Sequence, residues 1–143
     1  MTLLDAYPLV TTPDLAAVRG FWTAHFEAAV VFDSSWFLML GVPGAGGRSH
    51  TLAYMTPDHP SRPPGPEAFD GKGLILTLQV ESAATDYDRL AASGADIVYA
   101  LAREPWGQVR FMLRDPAGLL IDVVEQVEPA AGFWERFEVR AGL

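Results

Sequence analysis

The chain has 143 residues, half of them hydrophobic, which suffices for one domain with a core and argues against intrinsic disorder. Its formal net charge is −8, and its single lysine and nine arginines are scattered, so we expect no nucleic-acid partner, because phosphate contacts need clustered cations. It has no cysteine for disulfides or thiol chemistry. Its first residues lack the basic start and apolar run typical of a signal peptide, and no apolar run reaches about 20 residues, so we expect a cytoplasmic protein without a membrane partner.

The first half of the chain reads as a strand, a helix and three more strands. Tyr7 to Thr11 is a short extended run. The next three residues, Thr12, Pro13 and Asp14, predict a helix start with a hydroxyl cap, a proline in the first turn and an acid near the positive helix end. Apolar residues then follow at helical spacing, namely Leu15, Val18, Trp22 and Phe26. Further strands are predicted at residues 28–32, 36–42 and 51–55.

A proline-rich segment, residues 57–73, separates this half from the next, because proline excludes a helix or an inner strand. The same order of elements then repeats. A strand is predicted at residues 74–80, a helix between the cap Ser82 and Gly94, and strands at residues 96–101, 108–113 and 119–127. Asp115 to Gly118 form a tight turn between the last two. Module one thus spans about 4–56, module two about 74–128, and a tail with a short helix about 129–143.

Two strands of module two alternate in a way that predicts a cavity wall. Leu76 and Leu78 point to one face and Thr77 and Gln79 to the other, because successive side chains of a strand face opposite ways. The last strand places Asp122 among apolar neighbours in the same manner. Both patterns suit a curved sheet with helices on one face and a hollow on the other.

The succession of strand, helix and three strands, a long loop and the same succession again resembles the vicinal oxygen chelate superfamily. That group includes glyoxalases, extradiol dioxygenases and bleomycin resistance proteins. The most specific segment runs from Trp106 to Glu125 and contains the turn Asp115-Pro116-Ala117-Gly118 and the strand Ile121-Asp122-Val123. The resemblance implies an α+β fold in which two βαβββ modules form a curved mixed sheet around a cavity, and it implies a homodimer.

Metal-bearing members of this superfamily bind one divalent ion with four inward-facing residues, and the resemblance implies the matching positions here. In this sequence they fall at Tyr7, Ala53 (with Thr51 as the alternative), Ile75 and Asp122. Only Asp122 is an ordinary ligand, and one carboxylate does not hold a catalytic metal. We therefore predict a protein without a metal or other cofactor.

None of the three histidines matches a ligand position of the family. His25 lies near the end of the first helix, where a surface or capping role is expected. His50 lies at the entrance of a strand, at the rim of the predicted cavity. His59 lies in the proline-rich segment and is expected to be solvated.

Without a metal, apolar and aromatic walls with a few polar groups describe a small-molecule pocket. The candidate ligand-binding residues are Tyr7, Trp36, Met55, Thr77, Gln79, Trp106, Arg110 and Asp122. Core packing is the alternative role for the aromatic residues among them. The Asp122 carboxylate has three possible roles: an ion pair with Arg110 or Arg114, a contact to a ligand, or general acid–base catalysis with a raised pKa.

The leading hypothesis for the function is metal-free small-molecule binding of the bleomycin-resistance type, in which a toxin or antibiotic is sequestered. The alternative is an enzyme of the same superfamily, a lyase, isomerase or dioxygenase, that uses an atypical metal site or Asp122 as its acid–base group. A third possibility is an interaction module with an apolar patch at Phe133, Trp134 and Phe137.

Overall fold

Each half of the chain folds into a four-stranded mixed sheet with one α-helix against it. The computed structural model describes residues 1–137 and 139–140, so residues 138 and 141–143 of the predicted tail lie outside the described residues. Residues 1–73 together with 115–119 form one compact unit, and residues 74–114 together with the chain from residue 120 onward form the other. The predicted α+β class is confirmed.

The first unit contains one helix and four strands. They are β1 (Leu9–Thr11), α1 (Leu15–Phe26), β2 (Ala29–Asp33), β3 (Phe37–Pro43) and β4 (Ser49–Met55). The strand order is β1-β4-β3-β2, in which β1 runs parallel to β4 and the other pairs are antiparallel. Leu38, Leu40 and Tyr54 of this sheet are fully buried, and they lie on the face that α1 covers.

The second unit repeats this topology. Its elements are β5 (Ile75–Gln79), α2 (Ala83–Ala92), β6 (Ile97–Glu104), β7 (Gln108–Arg114) and β8 (Leu120–Gln126), in the sheet order β5-β8-β7-β6. The pair β5 and β8 is parallel and the others are antiparallel. In the tail, the predicted short helix is a single 3₁₀ turn at Trp134–Arg136. Among the described residues, no helix is long and apolar enough to cross a membrane.

The helix α2 covers one face of the second sheet. Phe111 of β7 and Ile121 of β8 are fully buried on that face, and the Phe111 ring packs edge-on against Tyr87 of α2 at 5.3 Å between centroids. We call the opposite face the Asp122 face, because alternation along β8 turns Asp122 away from Ile121 and Val123. This division into two faces agrees with the one that the sequence predicts.

The helix α1 begins later than predicted. The side chain of Asp14, and not that of Thr12, caps α1 by accepting a hydrogen bond from the Ala17 N–H at 3.0 Å. Thr12 still belongs to the extended chain, because its N–H donates to the Met55 carbonyl at 2.8 Å. The prediction of Thr12 as the cap is therefore wrong. The second predicted cap is confirmed, since Ser82 accepts from the Thr85 N–H at 3.3 Å.

The prediction that His59 is solvated is also wrong. Its side chain is buried, with the residue only 8% exposed, and Nε2 lies 2.8 Å from the carbonyl oxygen of Gly65. The same proline-rich segment is tied to β1, because the Phe69 N–H donates to the Thr11 carbonyl at 2.9 Å. This backbone hydrogen bond holds the far end of the segment against β1.

A buried carboxylate joins distant parts of the first unit. Oδ2 of Asp115 accepts from the Tyr54 hydroxyl and, at 3.3 Å, from the Trp22 indole N–H. Oδ1 accepts from the backbone N–H groups of Ala117 and Leu119, each at 2.9 Å. Burial, and then the charge of Asp115, raise the pKa of Tyr54, so its hydroxyl stays protonated and donates. The turn between β7 and β8 is thereby part of the first unit.

We expect Tyr54→Phe to lower the free energy of unfolding by about 1–3 kcal/mol, because a buried carboxylate oxygen loses a donor. Chemical denaturation measures the change. The matched control is Tyr87→Phe, which removes a hydroxyl from a ring that packs on Phe111. Equal unfolding free energies for the two variants would contradict this role for the Tyr54 hydroxyl.

Candidate functional site

The strand register of the second unit brings four predicted site residues onto the Asp122 face. Asp122 is paired with Thr77, and Val124 with both Gln79 and Arg110. Side chains of residues paired in register project to the same side of a sheet. Thr77, Gln79, Arg110 and Asp122 therefore lie on one face, on three adjacent strands.

Asp122 is the buried charge of this face. The residue is 6% exposed, and its Oδ2 lies 3.3 Å from Nη1 of Arg110. The ion pair with Arg110, one of the roles that the sequence leaves open for Asp122, is thus present. Oδ1 of Asp122 is buried without a hydrogen-bond partner among the described residues. Burial raises the pKa of Asp122 above the usual value for aspartate, although the charge of Arg110 opposes the rise.

Four groups surround the Arg110 guanidinium, and we call them the Arg110 cage: Tyr99, Glu104, Trp106 and Asp122. The guanidinium carbon lies 5.0 Å from the centroid of the Trp106 ring and 5.3 Å from that of Tyr99, which is the range of cation–π contacts. Its Nη2 lies 3.9 Å from Oε2 of Glu104. Nε of Arg110 is buried and has no partner within the described residues.

The hairpin of β6 and β7 holds the rings of the cage in place. Gly107 has a φ of +111°, and a Cβ at this position would lie 2.9 Å from the Val127 carbonyl oxygen, so the turn requires glycine. The Trp106 indole N–H donates to Gln108 at 2.9 Å, and the Trp106 carbonyl accepts from the Trp134 indole N–H at 3.0 Å. These bonds fix the half-buried Trp106 ring beside Arg110.

Tyr99 and Glu104 are cage residues that the sequence does not reveal. The Tyr99 hydroxyl donates to Oε1 of Glu104 at 2.6 Å, and this bond is the largest cause of a raised pKa of Tyr99. The predicted strand ends at Leu101, three residues before Glu104. In addition, the register of β6 shifts on both sides of Tyr99, so simple alternation does not indicate its face.

The remaining candidates belong to the first unit. Tyr7 precedes β1 and is exposed, whereas Met55 is buried at the end of β4. Trp36 is half-buried, and its ring packs edge-on against Phe37 at 5.6 Å between centroids. For Trp36, this contact agrees with the packing role that the sequence leaves open.

The side chains at the family's metal positions do not fit a divalent ion. Ala53 and Ile75 carry no donor atom, and Asp122 is paired with Arg110. The Thr51 hydroxyl donates to Asp5 at 2.6 Å. Across residues 1–137 and 139–140, the structure contains no group of three or more histidine, aspartate or glutamate side chains that could hold a metal.

The two other histidines lie apart from one another. His25 is in the last turn of α1, where its ring packs edge-on against Phe21 at 5.0 Å between centroids. His50 is exposed near the start of β4, and its ring lies against Gly44, where a Cβ would come within 2.6 Å of Nε2. The glycine therefore makes room for the imidazole.

The raised pKa of Asp122 predicts a pH dependence of stability. The folded protein holds this proton more tightly than the unfolded chain, so the contribution of Asp122 to stability is fully present below the usual aspartate pKa of about 3.9 and falls as pH rises from there through the raised value. We expect Asp122→Asn to remove this fall, whereas Asp88→Asn on the exposed side of α2 keeps it. Denaturation midpoints across a pH series measure the effect. Parallel pH profiles for wild type and Asp122→Asn would contradict it.

Comparisons with known proteins identify a family for the chain. The family model for the Glyoxalase/Bleomycin resistance protein/Dioxygenase superfamily matches residues 6–123. A solved glyoxalase/bleomycin resistance protein/dioxygenase from Nocardioides is 19% identical, with a TM-score of 0.72 over 100% of this chain and 90% of that one. A lactoylglutathione lyase from Agrobacterium tumefaciens is 18% identical, with a TM-score of 0.63 over 83% and 90%.

A virulence protein from Salmonella typhimurium is 15% identical, with a TM-score of 0.68 over 89% of this chain and 98% of that one. At such low identities these structures establish likeness of fold alone. No curated protein matches the sequence. The family model, however, covers most of the chain, from β1 to the middle of β8. The protein belongs to the glyoxalase/bleomycin resistance protein/dioxygenase superfamily.

Proposed function

We propose that the protein binds a small molecule on the Asp122 face without a metal ion, and that binding itself is its function, as in sequestration of a toxin or antibiotic. The observation that carries this proposal is the buried Oδ1 of Asp122, which has no hydrogen-bond partner among the described residues. A buried carboxylate oxygen without a donor is costly, and a ligand donor would remove that cost.

The groups around Asp122 favour a planar ligand that is cationic or rich in donors. Trp106 and Tyr99 offer aromatic rings, and Tyr99 is 37% exposed. Two carboxylates, those of Glu104 and Asp122, share the single guanidinium of Arg110, which leaves an excess of negative charge when both are ionised. The net charge of −8 on the whole chain acts in the same direction.

Titration with a panel of planar cationic antibiotics, followed by tryptophan fluorescence, tests this proposal. We expect saturable binding by wild type, because the cage residue Trp106 contributes its ring to the site. Asp122→Asn should weaken binding roughly ten- to a hundredfold, since it removes a charge-assisted hydrogen bond. Asp88→Asn, on the surface of α2, should leave the affinity unchanged. Failure to bind across the panel, together with turnover of any substrate, would overturn the proposal.

An enzyme that uses Asp122 as an acid–base group is the second candidate. The raised pKa of Asp122 favours it, because a general base works best with a pKa near the working pH. A second carboxylate beside the same guanidinium, that of Glu104, is already engaged by Tyr99 and Arg110. Turnover that Asp122→Asn abolishes, while binding is retained, is the result that distinguishes this candidate from sequestration.

We also propose that the protein is a homodimer. The edge strand β2 exposes apolar side chains along its length, and Phe32 there is 56% exposed. An unpaired edge of this kind favours association with another strand. Sedimentation equilibrium should give twice the chain mass of 15.5 kDa, and a monomer across the accessible concentrations would contradict a dimer.

A further inference from the structure

The Arg110 cage is filled by a side chain of the protein itself, and the fit is incomplete. The contacts of Arg110 with Asp122 and Glu104 measure 3.3 and 3.9 Å, longer than the 2.7–2.9 Å typical of a strong charge-assisted hydrogen bond. Nε of Arg110 and Oδ1 of Asp122 are both buried without partners among the described residues. The guanidinium therefore leaves part of the hydrogen-bonding capacity of the cage unused.

We propose that Arg110 is an internal occupant of a cation site, and that a ligand bearing a guanidinium, amidinium or ammonium group binds by displacing it. This inference rests on the proposed function, that the Asp122 face binds a small molecule. It adds two points: the ligand presents a positively charged group, and it must bind the cage more tightly than Arg110 does.

All four members of the cage recognise positive charge. The ring faces of Tyr99 and Trp106 attract cations through their quadrupoles, and the carboxylates of Glu104 and Asp122 attract them directly. Arginine keeps its charge at every accessible pH, so the occupant does not leave the cage by losing a proton. Only competition from another cation, or movement of the side chain into solvent, empties the cage.

Arg110 competes effectively with a free cation for the cage, because its side chain is attached to the protein. An intramolecular group acts at an effective concentration that is typically millimolar, so a free cation must make better contacts than Arg110 does. A planar amidinium that takes the place of the guanidinium would make such contacts if it donates to Oδ1 of Asp122 and stacks its ring on Trp106. The side chain of Arg110 is already 20% exposed, which gives it a route to water when it is displaced.

The experiment removes the occupant and offers a replacement. Arg110→Met keeps a long side chain without charge, Arg110→Gln is a second neutral variant, and Arg110→Lys is the matched control that keeps a cation in the cage. Each folded variant is titrated with benzamidinium and with neutral benzamide, followed by tryptophan fluorescence and calorimetry. We expect Arg110→Met and Arg110→Gln to bind benzamidinium roughly tenfold more tightly than wild type or Arg110→Lys, with no gain for benzamide. Adding Asp122→Asn to either neutral variant should abolish the gain.

Wild-type protein provides a second measurement that does not depend on the variants. As benzamidinium saturates the site, the NMR signal of the Arg110 Nε–H should move to the position of a solvent-exposed arginine. An unchanged signal at saturation, or a folded neutral variant that binds benzamidinium no better than wild type, would overturn the inference.

The outcome also separates this inference from the proposed function. If wild type binds a ligand of the antibiotic panel and Arg110→Met abolishes that binding, then Arg110 contacts the ligand directly. The proposed function is then supported, and the proposal that the ligand displaces Arg110 is wrong. If the panel does not bind but the neutral variants bind benzamidinium, the cage is a cation site and the proposed sequestration is wrong.

Discussion

A carboxylate on an otherwise apolar strand requires a counter-charge, and the guanidinium of Arg110 supplies it for Asp122. The neighbours Ile121 and Val123 are part of the core beneath α2, so β8 cannot shift by one residue without burying the charge in that core. Removal of one partner of such a pair leaves a buried, uncompensated charge, which is strongly destabilising. The pair therefore constrains both the register of β7 with β8 and the position of Arg110.

The cage follows from the position of that guanidinium. The glycine turn at Gly107 places Trp106 beside Arg110, and the irregular strand β6 brings Tyr99 and Glu104 to the same place. In metal-bearing relatives, as the resemblance implies, a carboxylate at the position of Asp122 is a metal ligand. We interpret the guanidinium of this chain as meeting the same electrostatic need by other means. Under the proposed function, the polar groups of the Asp122 face bind an organic cation instead.

The sequence predicts those parts of the structure that depend on local periodicity. Alternation along β8 identifies the face of Asp122, and the adjacent strand offers Arg110 or Arg114 as its partner, a choice that the structure makes in favour of Arg110. The errors at Thr12 and His59 have different causes. The Thr12 N–H is engaged by the Met55 carbonyl of another strand, whereas the His59 ring meets the Gly65 carbonyl of its own proline-rich segment, which folds back on itself. Glu104 is missed because the predicted strand is too short.

The contacts of Asp115 include local ones that the sequence predicts and a distant one that it does not. The turn chemistry of Asp-Pro-Ala-Gly is readable, because the Asp115 side chain accepts from the N–H groups of nearby residues. The bond from Tyr54 joins residues 61 apart in the chain, and no periodic pattern carries that information. Residue types nevertheless limit the chemistry, because a chain without cysteine has no thiolate ligand and no thiol nucleophile.

We propose that Arg110, and not a metal ion, balances the charge of Asp122. Elemental analysis of the protein, purified without chelator and then dialysed, tests it most directly, with Asp122→Asn measured in parallel. The account predicts iron, manganese, zinc and nickel contents far below one ion per chain in both proteins. One ion per chain that survives dialysis in wild type and is lost in Asp122→Asn would contradict it.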